Sequence, residues 1–312
     1  MAKGKSRRRS VDGILLLDKP LGLSSNAALQ NAKHLYNAEK AGHTGSLDPL
    51  ATGLLPICLG EATKLSAYLL DADKRYQARV RLGQRTSTGD AEGEVVQTSD
   101  PSATGREQLE AAIPRFLGTI TQIPPMYSAI KVEGRPLYTL ARAGIEVERQ
   151  PRQVRISLLR LLDFDGLHFD FEVACSKGTY VRTLAEDWAA ATGQQAHLVA
   201  LRRTGLEPFD GGAMIGLEQL QQAEPGAPRD GLLLPPGTAL RGWPQLTVDE
   251  VLAHRLSRGQ TLLMEAGPAG LTAVFDQRQR LLGIAESDGA GHLVPRRWMN
   301  QLENRANSAN SA

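Results

Sequence analysis

The sequence has few of the residues that form disulfides, and it has no long apolar run. Among 312 residues there are 2 cysteines, Cys58 and Cys175, which lie far apart and in no CxxC pair. This usage argues against a disulfide framework and predicts buried free thiols in a reducing compartment. The longest early apolar run, ILLL at 14–17, ends at Asp18, whereas a membrane-spanning helix needs about 20 apolar residues. We therefore expect a cytoplasmic protein without a membrane segment.

Motifs for metal ions and for nucleotide phosphates are lacking as well. The six histidines form no HExxH and no Cys/His cluster, so the sequence predicts no zinc site. The glycine-rich stretch at 42–53 matches neither GxxxxGK[ST] nor GxGxxG, and the chain has no GxSxG elbow. We expect neither a metal nor a cofactor.

The positive charge is concentrated at the N-terminus. Residues 1–10, MAKGKSRRRS, contain five basic residues and no acid; removing these five charges from the net +2 leaves −3 for the remainder. We predict that this arm is disordered, and either attraction to nucleic-acid phosphates or a solubilising role explains its composition.

Hydrophobic periodicity predicts a mixture of strands and helices. Strands are predicted at 13–20, 75–82, 167–175 and 197–203. Helices are predicted from Ser24 or Ser25 to about Tyr36, at 105–117, and from about Tyr180. The irregular parts are an insertion at 124–152 rich in Pro, Gly and Arg, a linker-like segment at 222–245, and a disordered tail at 303–312. A small β-rich unit begins near residue 247.

One acid, Asp48, lies in the loop GHTGSLDPLATG at 42–53. The dipeptide Asp48-Pro49 favours a helix start, with Asp48 as the N-cap and Pro49 as the first helical residue. Alternatively, Pro49 holds Asp48 in an extended conformation, and the glycines allow a bulky substrate to approach its carboxylate. The loop alone leaves both interpretations open.

Four other residues also have two interpretations each. Tyr76 lies on the apolar face of its predicted strand, where it is either a core residue or a stacking platform. Arg182 is either solvated or paired with a carboxylate. His43 is either structural or part of a pocket, and Lys19 either supports the fold or contacts phosphate.

Several segments, in order over residues 12 to 210, resemble the TruB family, the synthases that make pseudouridine at position 55 in the T-loop of tRNA. They include GILLLDKPLGLSSNAALQ, GHTGSLDPLATGLLPICLGEATK, DKRYQARVRLGQRTSTGDAEGE, QIPPMYSAIKVEGRPLYTLARAGIEVERQPR, CSKGTYVRT and AHLVALRRT. The resemblance implies an α+β fold: a mixed, antiparallel-rich sheet with flanking helices at 11–240, followed by a small β-rich PUA-like RNA-binding domain at 247–302. It further implies that the insertion at 124–152 grips RNA, that the partner is the T-loop stem-loop of tRNA, and that no protein partner is obligatory.

The resemblance also assigns roles to individual residues. Asp48 is the nucleophile, Arg182 its carboxylate partner, and Tyr76 the ring that stacks on the base and is a candidate for moving the C5 proton. His43 fills the space that the flipped nucleotide leaves, and Tyr180 and Leu201 enclose the base. Scattered cations are expected to contact the RNA backbone without reading sequence: Lys74, Arg75, Arg79, Arg81, Lys131, Arg135, Arg142, Arg202, Arg203, Arg296 and Arg297.

The expected chemistry explains why one carboxylate is enough. A glycosidase needs two carboxyl groups, because its leaving group requires a proton and a water molecule must attack. Uracil instead spreads negative charge over its carbonyls, and water must be excluded. Burial alone favours the neutral acid, whereas an adjacent guanidinium favours the anion and binds it in two places. The rival interpretation is a tRNA-binding or tRNA-folding protein in which catalysis is secondary.

Overall fold

The computed structural model describes residues 8–300. Residues 1–7 of the predicted basic arm and the predicted tail at 303–312 lie outside the described residues. Arg9 is held to the rest of the protein, because its backbone bonds to Asn37 and Glu39 and its guanidinium pairs with Asp230. The predicted disorder of residues 1–10 is therefore wrong at Arg9, where a carboxylate and two backbone groups supply partners.

The described residues form 19 strands and 8 α-helices. The strands are β1 Gly13–Lys19, β2 Ala41–His43, β3 Ala51–Leu59, β4 Lys74–Leu82, β5 Gln84–Thr86, β6 Val95–Thr98, β7 Gly118–Gln122, β8 Lys131–Val132, β9 Arg135–Pro136, β10 Arg152–Phe164, β11 His168–Cys175, β12 Ala196–Leu206, β13 Phe209–Asp210, β14 Ile215–Gly216, β15 Gln245–Thr247, β16 Leu262–Leu263, β17 Gly270–Phe275, β18 Leu281–Ser287 and β19 His292–Trp298. The α-helices are α1 Ser25–Leu35, α2 Ser66–Leu70, α3 Arg106–Ala112, α4 Leu137–Arg142, α5 Val181–Ala190, α6 Leu217–Gln222, α7 Ala227–Asp230 and α8 Glu250–Ser257.

A 10-stranded sheet forms the centre of the larger part of the chain. Its order is β14-β1-β3-β12-β4-β11-β10-β7, with β2 paired to β3 and β13 paired to β12. Within this sheet β1 runs parallel to β14 and β3 runs parallel to β12, and the other described pairs are antiparallel. The predicted α+β class with a mixed, antiparallel-rich sheet is confirmed.

Helices cover the sheet because their apolar stripes match its buried face. α1 begins after Ser24, whose hydroxyl accepts a hydrogen bond from the Ala27 N–H, as expected for an N-cap. On α5, the fully buried Trp188 packs edge-on against Phe169 and Phe171 of β11. The Trp188 indole N–H donates to the carbonyl of Leu109 at 2.9 Å, which also fixes α3 to this layer.

The C-terminal part is built on a second sheet of 5 strands in the order β15-β17-β18-β19-β16, with α8 between β15 and β16. Apolar side chains of this sheet share a buried cluster with the first sheet, in which Phe275 and Ile284 join Ile14 and Leu54. The first strand of this sheet, β15, begins at Gln245, two residues before the predicted start of the β-rich unit near residue 247.

The segment at 222–245 is packed rather than linker-like. Leu234 exchanges two backbone hydrogen bonds with Ile14 of β1, and Arg229 is buried with its guanidinium donating to the carbonyls of Leu35 and Ala223. The Pro and Gly content predicted flexibility, but long-range partners hold the backbone in place. The insertion at 124–152 leaves the sheet as predicted, and it contains the β8–β9 hairpin and α4.

Candidate active site

The strand order brings the predicted site residues to neighbouring positions. Asp48 lies three residues before β3, Tyr76 lies on β4, and β12 pairs with both strands. In this register, Leu201 of β12 is opposite Ala51 of β3 and Ala78 of β4. The strands that carry Asp48 and Tyr76 therefore lie on either side of Leu201.

The loop that carries Asp48 leads into a turn and not into a helix. The N–H of Ala51 donates to the carbonyl of Asp48 at 3.0 Å, and β3 starts at Ala51. The N-cap interpretation of Asp48 is therefore wrong, because the chain turns directly into a buried strand. Gly53 permits this path: it has φ +95°, and a Cβ there would meet the Arg203 carbonyl oxygen at 2.3 Å.

Arg182, in the first turn of α5, forms an ion pair with Asp48. The distance between Arg182 Nη2 and Asp48 Oδ2 is 2.9 Å, and the side chains are 6% and 48% exposed respectively. The carboxylate is thus anchored on a buried cation and open on its other side. A charge-assisted contact of this kind is stronger than a hydrogen bond between neutral groups.

A second carboxylate, Asp90, shares the same guanidinium and was missed by the sequence analysis. Its Oδ2 lies 3.4 Å from Arg182 Nη1, and the Asp90 side chain is 4% exposed. The Thr88 hydroxyl donates to Asp90 Oδ1 at 2.6 Å, and the carbonyls of Thr88 and Tyr127 each accept from Arg182 at 2.8 Å. Asp90 lies in the sequence TGDAEGE, which is typical of an exposed turn. This pattern therefore did not predict that Asp90 is buried.

Tyr76 is 8% exposed and belongs to the buried face of β4, as the alternation predicts. It lies opposite Arg203 of β12. Burial raises the pKa of the Tyr76 phenol, while the charge of Arg203 and a hydrogen bond from it act in the opposite direction. The charge of Asp48 is a further, smaller cause that raises this pKa. Asp48 precedes β3 and Tyr76 lies on β4, the two strands that flank β12.

Arg203 was predicted to contact RNA phosphates, but it is buried beneath the site with 1% exposure. Its Nε donates to the Leu54 carbonyl at 2.6 Å, and its Nη2 donates to the Gly45 carbonyl at 3.2 Å. It therefore connects β3, the loop of the predicted nucleophile and Tyr76. The predicted phosphate contact is also wrong for Lys74, because this residue is 8% exposed and donates to the carbonyls of Leu70 and Ala72.

Lys19 agrees with its structural interpretation. It is fully buried, and its ammonium group donates to the carbonyls of Pro20, Leu23 and Pro49. Burial lowers the pKa of Lys19 to about 8, while the nearby charge of Asp48 raises it. Lys19 thus holds the residue that follows Asp48 in the chain.

His43 ends β2 and is half-buried. Burial and then the charge of Arg203 lower the pKa of His43 below its ordinary value of 6.5, so the ring is neutral at pH 7. Its Nδ1 is inaccessible and has no hydrogen-bond partner among the described residues. A neutral imidazole has a flat face and little cost of desolvation, which suits contact with a planar ring.

Tyr180 immediately precedes α5 and is two residues from Arg182. Its ring lies under the guanidinium of Arg152, with Cζ 4.6 Å from the ring centroid. In residues 8–300 no hydrogen bond joins the Tyr180 side chain to Asp48, Tyr76 or Arg182. Leu201 is half-buried against the main core cluster.

The described part of the chain contains no group of three or more His, Cys, Asp or Glu side chains arranged to hold a metal ion. Over the same residues, no helix has both the length and the apolar character needed to cross a membrane. Cys58 and Cys175 are free and buried, as predicted, and burial raises the pKa of each thiol to about 11.

Three domain families match the chain in succession. Residues 33–181 match the TruB family pseudouridylate synthase (N-terminal domain), residues 182–240 match the tRNA pseudouridylate synthase B C-terminal domain, and residues 244–299 match the Pseudouridine synthase II TruB C-terminal domain. The first match contains Asp48, Tyr76 and Asp90, and the second begins at Arg182.

Similar proteins and structures agree with these matches. The tRNA pseudouridine synthase B of Pseudomonas putida (strain GB-1) is 51% identical over 95% of this chain and 98% of its own length, and that of Pseudomonas aeruginosa (strain UCBPP-PA14) is 52% identical over 95% and 99%. Two solved structures share the fold at 21% and 23% identity. One is an H/ACA RNP bound to a substrate RNA containing 2′-deoxyuridine, with a TM-score of 0.72 over 93% of this chain and 85% of that one. The other is a Cbf5-Nop10-Gar1 complex, with a TM-score of 0.71 over 93% and 84%. The chain therefore belongs to the TruB family of pseudouridylate synthases.

Proposed function

We propose that this protein isomerises uridine 55 in the T-loop of tRNA to pseudouridine, with Asp48 as the nucleophile. The observation that carries the proposal is the pair in which the half-exposed Asp48 carboxylate rests on the buried Arg182 guanidinium. The name tRNA pseudouridine synthase B, given to relatives that match 95% of the chain, supports tRNA as the substrate.

In the proposed reaction the N1–C1′ bond breaks, the uracil ring turns, and a C5–C1′ bond forms. The product loses a proton from C5 and gains one at N1, so that the atoms balance. Asp48 attacks C1′, adds to C6 or assists through a glycal, and these routes end in the same product. Arg182 balances the charge of the carboxylate and holds it in place after RNA excludes water. Asp90 holds Arg182 from its other side.

The remaining site residues receive the uracil after the nucleotide flips out of its stack. Tyr76 stacks on the base, because a ring face holds a planar base in every orientation. His43 occupies the space that the flipped nucleotide leaves, and Tyr180 and Leu201 enclose the base. The Tyr76 phenol is the candidate group for moving the C5 proton.

We propose that the tRNA backbone is held by the insertion at 124–152 and by the PUA-like unit at 247–302. Both contain cations predicted to contact phosphate, including Lys131, Arg142 and Arg297. Such contacts position the RNA without reading its sequence, so recognition depends on the shape of the T-loop. The enzyme needs no cofactor, no metal and no obligate protein partner in this proposal, and it works in the cytoplasm.

The test is release of tritium from C5 of uridine in an unmodified T-loop stem-loop. The wild-type chain should release it, and Asp48→Asn should reduce the rate by about 10⁴-fold or more, because an amide is not a nucleophile. Binding of the RNA by Asp48→Asn should stay within about twofold. Normal turnover by this variant would refute the role of Asp48. Binding without release by the wild type would favour the tRNA-folding alternative.

A further inference from the structure

The two ends of the insertion meet beside Tyr180. β7 ends at Gln122 and β10 begins at Arg152, and these two residues are directly opposite each other in the sheet. The insertion therefore leaves the sheet after Gln122 and returns to it at Arg152. Both side chains contact Tyr180.

Gln122 holds the backbone of Tyr180 from both sides. The Tyr180 N–H donates to Gln122 Oε1 at 3.1 Å, and Gln122 Nε2 donates to the Tyr180 carbonyl at 3.3 Å. A side-chain amide can do this because it carries both a donor and an acceptor. Gln122 is 1% exposed, so water does not compete for these bonds. The Tyr180 carbonyl also accepts from the Leu184 N–H in the first turn of α5, which makes this contact part of the helix start.

Arg152 holds the ring of Tyr180. Its Cζ lies 4.6 Å from the ring centroid, an arrangement that a planar guanidinium favours. Two of its nitrogens, Nε and Nη2, are inaccessible and have no hydrogen-bond partner among the described residues. Buried donors without partners are rare and call for an explanation. Here the stacking on Tyr180 is the contact that determines where the guanidinium lies.

The same end of the insertion also reaches the ion pair. Tyr127, five residues after Gln122, accepts a hydrogen bond from Arg182 Nη2 through its carbonyl at 2.8 Å. Tyr180 and Arg182 are therefore both tied to the segment that begins at Gln122. A displacement of this segment would move a wall of the pocket and the partner of the nucleophile together.

We propose that Gln122 and Arg152 are positioning residues that fix Tyr180 at the base of the RNA-gripping insertion. Gln122 sets the backbone and Arg152 sets the ring, so the pocket keeps its shape when RNA pulls on the insertion. The functional half of this inference rests on the proposed function, since it takes Tyr180 as a wall of the base pocket. Neither residue touches the reacting atoms.

We call the contacts of Gln122 and Arg152 with Tyr180 the clamp. The first test measures the clamp without measuring activity. Gln122→Met removes both hydrogen bonds at nearly constant volume, and exchange of the Tyr180 amide hydrogen should then accelerate by about tenfold or more. The matched control is Gln153→Met, since Gln153 is exposed on β10 next to Arg152, and it should leave that exchange unchanged. An unchanged rate in Gln122→Met would overturn the clamp.

The second test asks whether the clamp acts through Tyr180. Gln122→Met should lower the single-turnover rate of pseudouridine formation by about fivefold to tenfold in the wild-type background and by less than about twofold in Tyr180→Ala. Effects that multiply in the double variant would overturn the positioning role, because a general structural defect persists without the ring. If Gln122→Met does not fold, Arg152→Met enters the same cycle, with exposed Arg155→Met as its control. If the wild type forms no pseudouridine, the proposed function fails, and the exchange measurement still decides the clamp.

Discussion

Two buried guanidinium groups lie at the same site, and they differ in their partners. Arg182 contacts the carboxylates of Asp48 and Asp90. Arg203 donates to the carbonyls of Leu54 and Gly45, and no carboxylate in residues 8–300 lies within 4.0 Å of its nitrogens. One charge is compensated by anions and the other only by dipoles.

The difference in partners points to different roles for Arg182 and Arg203. The charge of Arg203 lowers the pKa of its neighbours His43 and Lys74, in each case after the larger effect of burial. The same charge opposes the rise in the pKa of the Tyr76 phenol, but Arg203 forms no ion pair with a carboxylate in the described residues. We infer that the Arg182 side supports chemistry, and that the Arg203 side keeps the loop of Asp48, β3 and Tyr76 in fixed relative positions.

Removal of the compensated charge should have the largest effect. Arg182→Met removes the cation that holds the Asp48 carboxylate, so both the orientation of the carboxylate and the compensation of its charge are lost when RNA covers the site. We expect a fall of about 10²- to 10³-fold in the single-turnover rate, with the affinity for the stem-loop within about twofold. Arg160→Met is the control, since Arg160 is 64% exposed on β10. A loss of binding with an unchanged rate would contradict this assignment.

Removal of the uncompensated charge should act on stability. Arg203→Met leaves the carbonyls of Leu54 and Gly45 without their donor in a buried region, at a cost of about 2–4 kcal/mol in the free energy of unfolding. Arg202 is the matched comparison: it is the preceding residue on β12, 40% exposed and paired with Asp18. Arg202→Met should change the same free energy by less than about 1 kcal/mol. Equal losses in urea unfolding would show that Arg203 is not a structural anchor.

These two arginines also show where sequence reasoning stops. The sequence ALRRT led us to expect that Arg202 and Arg203 both contact RNA phosphates, whereas Arg203 is buried. The pairing of β12 with β4 shifts register at two places, Leu198/Ala200 and Arg203/Gly205, so simple alternation does not tell which side chain points inward. Such bulges depend on a partner strand over 100 residues away in sequence.

Sequence patterns predicted the structure correctly where it depends on residues that are close in sequence. The alternation at 75–82 and the Ser24 cap both match the structure, because a strand face and a helix start depend on nearby residues. Asp90 escaped prediction for the opposite reason. Asp90 is buried beside Arg182, which lies far away in the sequence. The short polar turn around Asp90 therefore does not predict this contact.

Loss of the Tyr76 hydroxyl should have a smaller effect. If Tyr76 serves as a platform, Tyr76→Phe keeps the ring face and loses only the contact with Arg203, so the single-turnover rate should fall by less than about fivefold, equivalent to about 1 kcal/mol of barrier. Tyr76→Leu removes the ring face and should lose far more. A loss of about 100-fold or more in Tyr76→Phe would assign proton transfer to the phenol instead.

The smallest effect concerns the pH dependence of stability near Arg203. The pKa of His43 is lower in the folded chain than its ordinary value of 6.5, so the unfolded chain binds more protons and this contribution to stability is lost as the pH falls below 6.5. His43→Gln should therefore reduce the drop in Tm between pH 7.5 and pH 5.5, whereas the exposed His254→Gln should not. The drop due to His43 should also shrink in Arg203→Met, because one of the two causes of the lowered pKa is then removed while burial remains. An undiminished His43 contribution in that background would mean that the uncompensated charge of Arg203 does not reach the imidazole, and the contrast between the two guanidinium groups would then be one of hydrogen bonding alone.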